Sequence, residues 1–202
     1  MKFTIITPSY LEDYAGGASK RELKLARAIQ SVLDQKFQDW EMIIIADGCF
    51  KTPGVVRTFN DPRIRLIEME KAPFWSGMPR NAGLDNAKGD FITYLDSDDY
   101  LGPGHLETIN ANLGLNDWVY YSDWIYNSDR DSWHIRPCDI RVSGQNGTSN
   151  ITHRRSLPVR WSFEGYGHDH YFNQQLKEAS RRFCKTPPAE YYVMHMNGYY
   201  DL

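Results

Sequence analysis

An α/β fold built on a mostly parallel, doubly wound sheet, with a small antiparallel and loop-rich C-terminal part, is the architecture this sequence predicts. Three observations predict it. Short apolar or β-branched runs alternate with segments of helical periodicity. Of two runs that read as buried strands, around residues 42–46 and 91–95, the first is continuously apolar, as a strand covered on both faces requires. An acidic cluster, Asp96-Ser97-Asp98-Asp99, follows the second run directly, at the strand end where open α/β sheets bind ligands.

The elements follow in order. Phe3 to Ile6 reads as a strand stopped by Pro8, which cannot donate to a sheet ladder. After a polar, Gly-rich loop, Ser19-Lys-Arg-Glu22 fits a capping box. Leu23, Ala26, Ile29 and Leu33 then recur at helical spacing as far as about Gln35. Glu41 to Ala46 is the first fully buried strand, and Asp47-Gly48 turns the chain away from it. Arg63 to Met69 reads as a third strand and Pro79 to Ala87 as a helix ended by Gly89. Asp90 to Leu95 is the second buried strand. Beyond Asp99, the pattern predicts a helix over Gly104 to Leu113 and a strand over Trp118 to Tyr126. From Asn127 to Trp161 it predicts loops with a small antiparallel piece. A helix from Asp169 to Phe183 and a last strand over Tyr191 to His195 complete the chain.

The 202 residues suit one domain (1–202), with a half at 1–100 carrying the strand ends and acidic cluster and a half at 101–202 that is richer in aromatics. A net charge of -3 offers no general attraction to polyanions, which argues against nucleic acid as a partner. Cys49, Cys138 and Cys184 lie far apart without a Cys-x-x-Cys pair, so reduced thiols are expected instead of a zinc site or disulfide framework. No signal peptide or membrane-spanning stretch is evident, and the expected location is cytoplasmic. Asn146-Gly-Thr148 and Asn150-Ile-Thr152 match the glycosylation sequon, which has no meaning without export.

Three carboxylates within four residues repel one another unless solvent or a cation relieves them. By residue type alone the cluster fits a solvated acidic turn as well as a site for magnesium or manganese, which take hard oxygen ligands. The surrounding residues decide between these readings. Asn81-Ala-Gly-Leu-Asp-Asn-Ala-Lys-Gly-Asp-Phe-Ile-Thr-Tyr-Leu-Asp-Ser-Asp-Asp99 closely resembles the core of the family 2 glycosyltransferases, which have the GT-A fold. Thr7-Pro-Ser-Tyr10, Arg27-Ala-Ile-Gln-Ser-Val-Leu-Asp-Gln35 and Trp40-Glu-Met-Ile-Ile-Ile-Ala-Asp-Gly48 match the same family, in the same order.

The resemblance implies roles for particular positions. Pro8 and Tyr10 would line a uracil pocket, with the Tyr10 ring stacking on the base and Asp47 accepting a hydrogen bond from it. Ala46 stands where many relatives carry a first Asp, so that role falls to Asp47 alone. Arg80, at the start of a helix, would lie near the donor phosphates. Asp98 would hold Mn2+ or Mg2+, Asp96 would contact the ribose or the metal, and Asp99 would support the site or the sugar. In Glu164-Gly-Tyr-Gly-His-Asp-His-Tyr-Phe172, which resembles the family's Gly-x-Glu-Asp segment, Asp169 would be the catalytic base, with His168 in place of the usual acidic neighbour. On spacing alone a helix N-cap is the preferred reading of Asp169, and the two roles are not exclusive. His195 matches a late family histidine that completes the metal shell, with His153, His168 and His170 as weaker metal candidates and Glu164 as a candidate for binding acceptor hydroxyls.

The activity implied is metal-dependent, inverting transfer of a hexose from a UDP-sugar to a hydroxyl of a glycan or similar acceptor. The alternative is a nucleotide-sugar-binding or assembly protein of the same fold without turnover. A nucleotidyltransferase would need a Gly-rich basic loop where this chain has Tyr10-Leu-Glu-Asp-Tyr14, and a dehydrogenase would need a Gly-x-Gly-x-x-Gly after a strand. An acceptor region this short leaves room for completion by a second copy of the chain in a homo-oligomer.

Overall fold

A computed structural model of the chain describes residues 3–14, 19–73, 75–127, 131–142, 144–162 and 167–194. Its centre is a seven-stranded sheet in the order β10-β6-β9-β4-β1-β2-β3. The strands are β1 (Phe3–Ser9), β2 (Trp40–Asp47), β3 (Ile64–Met69), β4 (Phe91–Tyr94), β6 (Trp118–Tyr120), β9 (Ile151–Arg154) and β10 (Phe183–Lys185). All pair in parallel except β9, which runs antiparallel between β4 and β6. A second, four-stranded sheet in the order β5-β11-β7-β8 joins β5 (Tyr100–Leu101), β11 (Tyr191–Val193), β7 (Asp123–Asn127) and β8 (Ser132–Arg136). The helices are α1 (Arg21–Leu33), α2 (Thr52–Val56), α3 (Gly77–Asn86), α4 (His105–Leu113) and α5 (His168–Ala179).

The apolar run of β2 is continuous because it serves two cores. Met42 and Ile44 join Phe3 and Ile5 of β1 in one cluster with Leu25, Ile29 and Val32 of α1 and Ile109 of α4. Ile43 and Ile45 join Ile6, Ile92 and Tyr94 in the other, with Trp161 and the α5 residues Phe172 and Leu176. Alternate side chains point to opposite faces of a strand, so each face takes every second residue. All eight β2 residues are buried as a result.

Glu41 anchors the turn that launches β4. This carboxylate, 3% exposed, accepts hydrogen bonds from the Thr4 hydroxyl (2.8 Å) and from the Lys88 and Gly89 amides (2.6 and 3.1 Å), and it pairs with Arg65 at 3.2 Å. A Cβ on Gly89 would lie 2.7 Å from the Thr4 amide nitrogen, so only glycine permits the approach. That contact sets β4, and hence the acidic cluster, beside β1.

Several sequence expectations are corrected here. Pro8 does not stop the first strand: β1 runs on to Ser9. Beyond Ile6 it has lost β4 as a partner and keeps only β2, and such a one-sided strand end tolerates proline. The Ser19–Glu22 capping box does not form at Lys20, the N-cap, which sits in the left-handed region at φ 51° with no side-chain cap bond. The strand expected over Trp118 to Tyr126 is two strands, β6 and β7, in different sheets. At the break the Tyr121 amide donates to the Asn150 carbonyl (3.0 Å) and its carbonyl accepts from Asn150 Nδ2 (2.9 Å), which removes this residue from any ladder. The last helix ends at Ala179, not Phe183. Ser180 is extended, its hydroxyl donating to Asp117 at 2.6 Å, and the chain enters β10. The small antiparallel piece expected between Asn127 and Trp161 is present as the hairpin strand β8, and the same segment also supplies β9, an internal strand of the main sheet. All three cysteines are free thiols, as expected. Among the described residues no helix is long and apolar enough to cross a membrane.

Candidate active site

The carboxyl ends of β1, β2 and β4 open onto one cleft of about 970 Å³. Pro8 and Tyr10 border it from the end of β1, Asp47 from the end of β2, and Asp96, Ser97, Asp98 and Asp99 from the turn after β4. Arg80 enters from α3 and Asp169 from the first turn of α5. Eight residues singled out in the sequence therefore meet at one place. His195 and Glu164 lie outside the described residues. His168 and His170 line the cleft, but His153 does not. It is fully buried in the core, its ring stacked on Tyr94 and its Nε2 bonded to the Tyr94 hydroxyl at 2.8 Å, which corrects its place among the metal candidates.

Asp47 is fixed before any ligand arrives. Its Oδ1 accepts the Ala72 amide at 2.6 Å and its Oδ2 pairs with Lys71 Nζ at 2.7 Å. The Lys71 ammonium also lies 4.7 Å from the centre of the Tyr10 ring, a cation–π contact that ties the aromatic wall to the carboxylate. Gly48 makes this possible: its φ is +62° and a Cβ there would meet Lys71 Cβ at 2.5 Å. The loop carrying Tyr10 is held from α1, where Arg21 donates to the Tyr10 and Glu12 carbonyls at 3.1 and 2.7 Å.

The three carboxylates of the acidic cluster have different surroundings. Asp99 is 3% exposed and turned inward, accepting the Tyr191 hydroxyl at 2.9 Å and the Met194 amide at 2.6 Å. Burial, and then the negative charges of Asp98 and Asp96, push its carboxyl well above the usual carboxylate range. Asp96 pairs through Oδ1 with Arg80 at 2.8 Å, and its Oδ2 accepts the Thr148 hydroxyl at 3.4 Å. Asp98 is half-buried on the cleft wall, and its carbonyl accepts Arg27 Nη2 at 2.6 Å. Asp96 and Asp98 thus offer carboxylate oxygens of the type that suits Mg2+ or Mn2+. Among the described residues, no trio of His, Cys, Asp and Glu is arranged to hold a metal by itself.

Asp169 stands in the first turn of α5 after Gly167, whose φ is +107°. His168 Nε2 lies 3.3 Å from its Oδ1. A carboxylate near a helix N-terminus is favoured by the free N–H groups there. Asp169 lines the cleft, with His168 as its ion-pair partner among the described residues.

Sequence reasoning missed Lys71, Thr148, Arg136 and its partner Asp123. Thr148 was noticed only within a sequon, although it links Arg80 (3.2 Å) and Asp96. The other three carry no local motif.

Comparison with known proteins gives the family and the fold. The model of the family described as Glycosyl transferase family 2 matches residues 4–184. The UDP-Glc:alpha-D-GlcNAc-diphosphoundecaprenol beta-1,3-glucosyltransferase WfgD of Escherichia coli is 38% identical over 105 residues, covering 52% of this chain and 38% of that protein. The crystal structure of Staphylococcus aureus TarS 1-349 in complex with UDP-GlcNAc superposes with a TM-score of 0.74 at 18% identity, over 99% of this chain and 62% of that one. The mannosyltransferase PcManGT from Pyrobaculum calidifontis, in complex with GDP-Man and Mn2+, superposes with a TM-score of 0.70 at 14% identity, over 95% and 56%. The chain spans less than half the length of the curated relatives GlyA of Streptococcus pneumoniae and WfgD. With the family matched over most of its residues and the mixed, mostly parallel sheet in place, the chain belongs to glycosyl transferase family 2 and has the GT-A fold.

Proposed function

We propose that the cleft transfers a hexose from a UDP-sugar to an acceptor hydroxyl with inversion at the anomeric carbon, and that residues 1–202 act as one domain in doing so. The observation that carries this reading is the convergence of Pro8, Tyr10, Asp47, Arg80, Asp96, Asp98, Asp99 and Asp169 on one cleft. The names of two similar proteins, one a UDP-Glc-dependent glucosyltransferase and one solved with UDP-GlcNAc, support the donor class.

The Tyr10 ring stacks on the uracil, and Asp47, held by Lys71 and Ala72, accepts from the base through its remaining lone pairs. Arg80 faces the donor phosphates, and the pair it forms with Asp96 keeps the guanidinium from swinging away. Asp98 and Asp96, joined in the family pattern by His195, are the residues that would hold Mn2+ or Mg2+, and a cation held there would neutralise charge growing on the leaving diphosphate. A Mn2+ complex among the structural neighbours supports this assignment. Asp99 stays inside as the brace that fixes the cluster. Asp169 takes the proton from the acceptor hydroxyl as its oxygen attacks the anomeric carbon on the side opposite the departing UDP, and a single displacement inverts that centre.

Incubation with UDP-glucose, UDP-galactose and UDP-N-acetylhexosamines in Mn2+, with and without EDTA, tests the reading through UDP release. Release from at least one donor, abolished by EDTA, is expected. Metal-independent release, or none with any donor and acceptor, contradicts it.

A further inference from the structure

We propose that Arg136 is an anion-binding residue of this cleft, presenting its guanidinium to a phosphoryl group of a ligand. The inference rests on the UDP-sugar reading and extends it to a residue outside the motifs.

The described lining of the cleft carries the carboxylates of Asp47, Asp96, Asp98, Asp99 and Asp169, against the guanidiniums of Arg80 and Arg136 alone. An anionic ligand entering such a cleft needs accessible positive charge. Arg80 supplies only part of it: its side chain is 4% exposed and its Nη2 is engaged by Asp96 and Thr148, which leaves its buried Nε and Nη1 without a hydrogen-bond partner among the described residues. The Arg136 side chain is 42% exposed.

Its orientation is fixed from behind. Nε and Nη2 donate to the two oxygens of Asp123 at 2.9 and 2.5 Å, a two-pronged pair with a carboxylate of zero exposure. Asp123 Oδ2 is held in turn by the Ser149 hydroxyl at 2.8 Å. The guanidinium is therefore preorganised, and among the described residues Nη1 and the second N–H of Nη2 carry no hydrogen bond, so they remain for a ligand.

The same short 3₁₀ turn serves both arginines. Thr148 bonds the Arg80–Asp96 pair and its neighbour Ser149 bonds the Asp123–Arg136 pair, so adjacent residues of one turn hold the ion pairs of both cations that line the cleft. A phosphoryl group fits this pairing of planar forks. It can come from the donor diphosphate or from a phosphate on the acceptor.

The test is calorimetric titration of the full chain, in Mn2+ buffer, with UDP, uridine and inorganic phosphate, the phosphate being titrated into UDP-saturated protein. Arg136→Gln strands a buried carboxylate and risks the fold. It is therefore paired with the double variant Asp123→Asn/Arg136→Gln, which removes both charges, and thermal melts confirm folding. UDP binding weakened about tenfold or more with uridine unchanged assigns Arg136 to the donor diphosphate. Unchanged UDP binding with loss of the phosphate titration assigns it to a second phosphoryl group. A folded variant that binds UDP and phosphate as the wild type does overturns the proposal and leaves the UDP-sugar reading standing. A wild type that binds neither ligand overturns both.

Discussion

The Tyr191 hydroxyl donates to Asp99 Oδ2 at 2.9 Å and accepts the Asp96 amide at 3.1 Å, so one phenol from the last described strand braces two residues of the acidic turn. Tyr191 is fully buried, and burial with the nearby charges of Asp99 and Asp96 pushes its own titration far up, keeping it a donor. Tyr191→Phe leaves a buried carboxylate oxygen and a backbone N–H without their partner. The expected loss is about 1–3 kcal/mol of stability, read from urea midpoints, together with weaker binding of UDP in Mn2+. An unchanged midpoint would show that the brace is redundant.

Tyr10→Ala removes the aromatic wall of the base pocket while Asp47 keeps its bonds to Lys71 and Ala72. Stacking of a base on an aromatic ring is worth about 1–3 kcal/mol, so UDP affinity should drop about fivefold to a hundredfold. Uridine should weaken in parallel, because the lost contact is with the base. Calorimetry that finds uridine unaffected would remove Tyr10 from the pocket.

Asp169→Asn keeps the size of the side chain and its place at the start of α5 but cannot take a proton. Transfer to an acceptor is expected to fall by about a hundredfold or more, with UDP binding preserved, because a positioned general base contributes on that scale. Equal transfer by the variant would take Asp169 out of the mechanism.

His105 sits at the start of α4 with no exposure, between the rings of Tyr121 and Tyr191 at 5.4 and 6.1 Å. Burial drives its titration down from 6.5 to about 3. The native state thus stays neutral at pH values where the unfolded chain takes up a proton. Stability is full above pH 6.5 and is lost as the pH falls toward about 3. His153, lowered by burial to about 4, adds to the same slope. His105→Leu should flatten the acid limb by up to about 1.4 kcal/mol per pH unit, measured by urea unfolding at several pH values. An unchanged acid limb would contradict the burial of this imidazole.

What could be read in the sequence depended on whether the signal was local. The strand ending at Tyr94 and the carboxylates after it form one contiguous pattern, whereas the close approaches that require Gly48 and Gly89 come from Lys71 and Thr4, far off in sequence. The base pocket was half legible. Tyr10 and Asp47 lie in recognisable segments, but Lys71, which joins them, comes from the loop after β3. Asp123 and Arg136 were invisible because their pairing depends on the β7–β8 register, where Asp123 stands opposite Arg136. The run from Trp118 to Tyr126 misled because its aromatic residues continue through Tyr121, where the backbone turns to Asn150 instead of the next strand. β9 was missed for a related reason: an internal antiparallel strand of four residues is too short to show a period.

The central claim is that this cleft holds a UDP-sugar between Tyr10 and Asp47 at one end and Asp169 at the other. A crystal of the protein soaked with a UDP-sugar and Mn2+ tests it most directly. The account predicts uracil against Tyr10 and Asp47, the cation on Asp98 and Asp96, and the sugar directed toward Asp169. Density for the nucleotide elsewhere on the protein, or a cleft that stays empty at saturating donor, would contradict it.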